Sequence, residues 1–127
     1  MEKKLYILAL VFGLTSIILG AFGAHWLKKH LSIDQLNSFE VGVRYQMYHA
    51  LFLLFVAQSN AFTFKTKNEL FYLTLVGVIL FSGSIYLLST SKLTSLNTRV
   101  LGPLTPIGGL VLICSWGYLL FQILQKK

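Results

Sequence analysis

A carboxylate, a guanidinium, two phenols and an imidazole stand close together at Glu40, Arg44, Tyr45, Tyr48 and His49. Together they supply what a general base and an anion clamp require. The two imidazoles His25 and His49 fall in different apolar stretches. Two facing histidines can ligate a haem iron, or hold a metal ion with Glu40 as a third ligand. The 127 residues contain no His-x-x-x-His pair, no Gly-rich phosphate loop, no Ser or Cys elbow and no paired carboxylate site. Hydrogen bonding to a tyrosine or a backbone carbonyl is the default for each histidine. No cofactor and no catalytic residue is therefore expected, and the chain is not read as an enzyme.

The elements that position these groups follow from composition. Hydrophobic residues make up 55% of the chain and charged residues 12%, about half the charged fraction of a soluble domain. Apolar runs of roughly 20 residues recur, the length that crosses a bilayer as helix. They do not alternate, so a membrane strand is excluded. The net charge of +7 does not point to nucleic acid, because the lysines and Arg99 cap the apolar runs, as at helix ends that meet anionic headgroups. The single Cys114 permits no internal disulfide.

The reading is an all-α membrane protein, a compact bundle of four transmembrane helices in a single domain, at about 5–27, 33–60, 69–89 and 106–125. The first run follows Lys3-Lys4 and exceeds a signal-peptide core, so a retained helix is expected. Ser16, Gly20 and Ala24 recur at every fourth position, a spacing that lets two helices approach closely. Ser32 and Gln35 form a capping box for the second helix. This helix is too long for the hydrocarbon core, so its first two turns should lie at the interface. Glu40, Arg44, Met47 and Leu51 share one side of it, Tyr45 and His49 lie roughly opposite, and an i, i+4 pair is expected between a partly buried Arg44 and Glu40. Ser82 and Ser84 can bond back to carbonyls. Thr105-Pro106 reads as an N-cap with proline at the first helical position. A polar loop is expected over 90–101.

Counting Lys and Arg favours cytoplasmic termini. His25, Glu40, Arg44, Tyr45, Tyr48, His49, Tyr86 and Thr105 then gather toward the outer end of the bundle, and Ser82 and Ser84 complete a candidate polar cluster that is either a ligand site or structural.

Gly20-Ala21-Phe22-Gly23-Ala24-His25, Tyr45-Gln46-Met47-Tyr48-His49-Ala50-Leu51, Phe81-Ser82-Gly83-Ser84-Ile85-Tyr86 and Gly102-Pro103-Leu104-Thr105-Pro106-Ile107-Gly108-Gly109 resemble the YgdD-like small membrane family, domain of unknown function 423, which is related to a eukaryotic transmembrane protein. The four motifs occur in order over nearly the whole chain. The resemblance implies a four-helix protein of the bacterial inner membrane and implies no activity. The loop from Ser89 to Arg99 is longer than the family usually has before its Gly-Pro motif. Expected partners are membrane lipids and other membrane subunits or further copies of the chain. Two functions are consistent with this: an accessory, assembly or scaffold protein, or a protein that binds a lipid, quinone or small molecule through the polar cluster, with transport as a variant.

Overall fold

Four long helical segments fill the computed structural model, which describes residues 2–94 and 98–126. Among the described residues there is no strand. Helix α1 runs over Glu2–Ile18, passes through a π turn at Leu19–Gly23 and ends in the α turn Ala24–Leu27. Helix α2 is Ile33–Gln58. Helix α3 comprises Phe64–Val78, a second π turn at Ile79–Gly83, and Ser84–Ser89. Two single turns follow, α4 at Ser91–Thr94 and α5 at Thr98–Leu101, and then the last long helix, α6, at Leu104–Leu124.

Local chemistry sets most of these ends. Ser32 caps α2 by accepting from the Gln35 backbone N–H, and the Gln35 side chain accepts from the Ser32 N–H, so the expected capping box forms. Thr63 caps α3 by accepting from the Thr66 backbone N–H. The third helix therefore begins before residue 69, and Lys65 and Lys67 belong to it rather than to a loop. The fourth begins at Leu104, with Pro103 at the cap position and no side-chain cap bond. Thr105 is thus inside the helix. Its hydroxyl is taken by Ser84 of α3, a cross-helix bond that outcompetes the expected local cap. The expected loop over 90–101 contains α4 and α5, and residues 95–97 of it lie outside the described residues.

Among the described residues three helical stretches are long and apolar enough to cross a membrane: Lys3–Leu27, Phe64–Ser89 and Arg99–Leu124. Four were expected. Among the described residues α2 is the long helix that does not qualify. At 26 residues it has the length, but Glu40, Arg44, Gln46 and His49 dilute the hydropathy of its first half.

Helix α1 packs antiparallel on α2, with Gly20 against Val43 and Gly13 against Ala50. Of the expected stripe Ser16, Gly20 and Ala24, Gly20 lies in this contact and Ser16 is buried. Helix α6 packs on α3 at Gly108, where a Cβ would run into the backbone of Leu80 and Phe81. The apolar core lies in two parts. The larger holds Leu5, Ala9, Phe12, Leu53, Val56, Leu70 and Leu112. The smaller, toward the loop that joins α1 to α2, is Leu27 and Phe39 with Leu19, Val43 and Tyr86 around them. Polar side chains of α2 and α3 occupy the level between the two.

Candidate functional site

Gln46 is the centre of that polar level. It is buried, and its Nε2 donates to the Phe12 carbonyl at 2.9 Å and to Thr15 Oγ1 at 2.6 Å. Its Oε1 accepts from the Tyr86 hydroxyl at 2.6 Å. One amide thus joins α1, α2 and α3. Phe12 offers only a carbonyl acceptor, which fixes the orientation of the amide. Ser82 donates to the Gly42 carbonyl at 2.7 Å and ties α3 to α2 a turn further along. Ser84 donates to the Phe81 carbonyl at 3.0 Å, so the bond between Ser84 and Thr105 at 2.5 Å takes its proton from Thr105.

His49 is buried and doubly engaged. Trp116 Nε1 of α6 donates to its Nε2 at 3.0 Å. An indole N–H can only donate, so Nε2 carries no proton. The proton is on Nδ1, which donates to the Tyr45 carbonyl at 2.7 Å. The imidazole is therefore neutral, with both nitrogens used. The Trp116 ring also lies 4.5 Å from that of Phe52. This is the strap between α2 and α6. On either side of it lies an open crevice, with adjoining hollows of about 500 and 510 Å3 that share Tyr45, His49 and Trp116 as lining. Phe81 and Gly109 line one, Tyr48, Leu51 and Phe52 the other.

A family model described as a protein of unknown function (DUF423) matches residues 19–109. The chain belongs to the DUF423 family. A UPF0382 membrane protein of Staphylococcus haemolyticus is 39% identical over 90% of this chain and 89% of its own length. The UPF0382 membrane protein YwdK of Bacillus subtilis is 37% identical, covering 90% of each chain. The UPF0382 inner membrane protein YgdD of Escherichia coli is 32% identical over 99% of this chain and 93% of its own. No solved structure matches.

In this DUF423 chain the expected cluster is divided. His49, Ser82, Ser84, Tyr86 and Thr105 face inward and bond across helices. Arg44, Tyr45, Tyr48 and His25 are exposed. The expected pair between Glu40 and Arg44 does not form, and Arg44 is not partly buried. It points away from the bundle, and the one-turn spacing alone does not bring the two groups together.

The two histidines do not meet either. His25 is in the last turn of α1, next to Gly23, which touches Phe39. His49 is some ten residues further along α2, roughly 15 Å at helical rise. Among the described residues no three His, Cys, Asp or Glu side chains gather as metal ligands. Sequence reading did not single out Gln46 and Trp116, which do most of the joining. The signal for Gln46 was present: an amide in the middle of a helix that packs in a membrane requires internal partners.

Proposed function

We propose that this chain is a multi-pass protein of the bacterial inner (plasma) membrane, with α2 as a fourth crossing helix and both termini cytoplasmic. It acts as a non-enzymatic accessory or scaffold protein. The observation that carries this reading is the use of the polar groups that lie between the helices. Gln46, Tyr86, Ser82, Ser84, Thr105, His49 and Trp116 bond to one another or to carbonyls across helices. A catalytic site needs a base or nucleophile held free in a pocket, whereas these groups serve to hold the helices together. The inner-membrane location is supported by the three apolar helices and by the E. coli relative's description.

The test is photo-crosslinking in living cells, with a benzophenone amino acid at Leu14, Leu51 or Leu120. These are exposed positions on α1, α2 and α6. A discrete protein adduct from at least one face is expected. Lipid adducts alone from all three would overturn the accessory reading. A second reading, a protein that binds a small amphiphile, is favoured by the crevice between α2 and α6, which is open on the outside and lined with aromatic rings.

A further inference from the structure

The outward stripe of α2 carries charge that nothing among the described residues balances. Arg44, Tyr48, Leu51 and Phe55 are all exposed, at i, i+4, i+7 and i+11. Trp26 of α1 marks the interface level. From the register of α1 on α2, Arg44 lies about seven residues, roughly 10 Å, inside that level. A guanidinium at such depth needs an anion. Glu40, one turn closer to the interface, is half-buried and makes no ion pair with it. The hydroxyls of Tyr45 and Tyr48 also have no hydrogen-bond partner among the described residues. Helical side chains lean toward the N-terminus, which for α2 is the interface end, so Arg44 and Tyr48 lean toward headgroups. Directly beside them the hollow of about 510 Å3 runs past Leu51, Phe52 and Trp116.

The stripe thus offers a cation and two hydroxyl donors with a carboxylate one turn nearer the interface, above an apolar trough. A zwitterionic headgroup presents the opposite sequence of charges, phosphate inside and ammonium outside. We propose that the α2–α6 crevice is a binding site for an aminophospholipid of the phosphatidylethanolamine type. Arg44 and Tyr48 hold its phosphate, Glu40 accepts from its primary ammonium, and an acyl chain lies along Phe52 and Trp116. Guanidinium and phosphate match as a bidentate pair, and a primary ammonium brings three donors to a carboxylate. This inference rests on the amphiphile-binding reading and names its ligand.

Trp116 provides the readout. The chain has two tryptophans, so in a Trp26→Phe background Trp116 fluoresces alone. That protein is reconstituted in phosphatidylcholine vesicles. The vesicles contain equal mole fractions of phosphatidylethanolamine, phosphatidylglycerol or phosphatidylcholine with brominated acyl chains. The brominated ethanolamine lipid should quench Trp116 with an apparent affinity about fivefold above the choline lipid, roughly the contribution of one net hydrogen bond, because a quaternary ammonium has no N–H to donate to Glu40. Arg44→Gln should weaken quenching by all three lipids alike, because each carries a phosphate, Glu40→Gln should erase the preference for the ethanolamine lipid over the other two, and Lys28→Gln should leave both the affinity and the preference unchanged.

Equal quenching by all three lipids would mean bulk lipid only and would overturn the site. A preference for phosphatidylglycerol that survives Glu40→Gln would overturn the aminophospholipid. Quenching by none would mean that a second copy or another protein fills the crevice. Native mass spectrometry of the unmutated chain, offered the three lipids together, gives the same decision if a variant fails to fold. A protein adduct at Leu51 with no lipid preference would defeat the lipid site and leave the accessory reading standing.

Discussion

Gln46 makes three hydrogen bonds with one side chain, two to α1 and one to α3. Replacing it with leucine removes all three and leaves the half-buried Tyr86 hydroxyl without its acceptor. A loss of about 1–3 kcal/mol is expected for a buried polar group orphaned in this way. Arg44→Ala removes an exposed side chain with no internal partner and should stay within about 0.5 kcal/mol. Thermal unfolding of the purified variants in detergent checks the order, and equal midpoints would overturn it. The polar residues of α2 were visible in the sequence as a group, but their assignment to an inward or outward face was only partly legible. Spacing gives angles on one helix. It does not say which neighbour stands at which angle, and that decides why His49 is spent on Trp116 while Arg44 pairs with no side chain among the described residues. Thr105 illustrates the same limit: a local cap is available to it, and its hydroxyl bonds to Ser84 of α3 instead, while Ser84 keeps its local bond to the Phe81 carbonyl.

The elements themselves were easier to read, because their signals are local. The Ser32 and Gln35 capping box forms where expected, and apolar length alone marks α1, α3 and α6 as candidates to cross a membrane. The glycines show how far such signals go. Gly108 and Gly117 both lie on α6 and look equivalent in sequence. A Cβ at Gly108 would meet the backbone of Leu80 and Phe81, whereas at Gly117 nothing lies within 4 Å. Gly108→Ala should therefore push α3 and α6 apart at a cost of about 1–3 kcal/mol, and Gly117→Ala should be neutral or slightly stabilising, since alanine is the better helix former. Detergent unfolding of the two variants side by side is the check. A tolerated Gly108→Ala would mean that α6 does not sit on α3 as described.

At the scale of the whole molecule the open matter is α2. Its first half is too polar for it to count among the apolar spans, yet it lies alongside α1 over most of its length, and α1 is one of those spans. In the proposed topology Asn60 lies on the cytoplasmic side with the termini, and Ser32 on the opposite side. The natural Cys114 is first replaced by serine, and single cysteines are then placed at Ser32 or Asn60. A membrane-impermeant maleimide applied to intact cells should label the cysteine at 32 and not the one at 60. Labelling of both from outside would mean that α2 does not cross. The balance of lysines and arginine anticipates this orientation by only a narrow margin, because a small chain with many short loops distributes its charges over both sides.

The two π turns have a consequence for every helix pattern drawn on this chain. A π turn absorbs one additional residue without breaking the helix, and one residue is about 100° of rotation. The segments beyond Gly23 and Gly83 are therefore out of phase with the segments before Leu19 and Ile79. α1 and α3 each behave like two shorter rods spliced with a shift of frame. The inner rod of α1 turns Leu5, Ala9 and Phe12 to the main core, and the outer one turns Leu27 to Phe39. A single helical wheel drawn through either helix would misplace the residues beyond the π turn, four in α1 and six in α3, by about 100°.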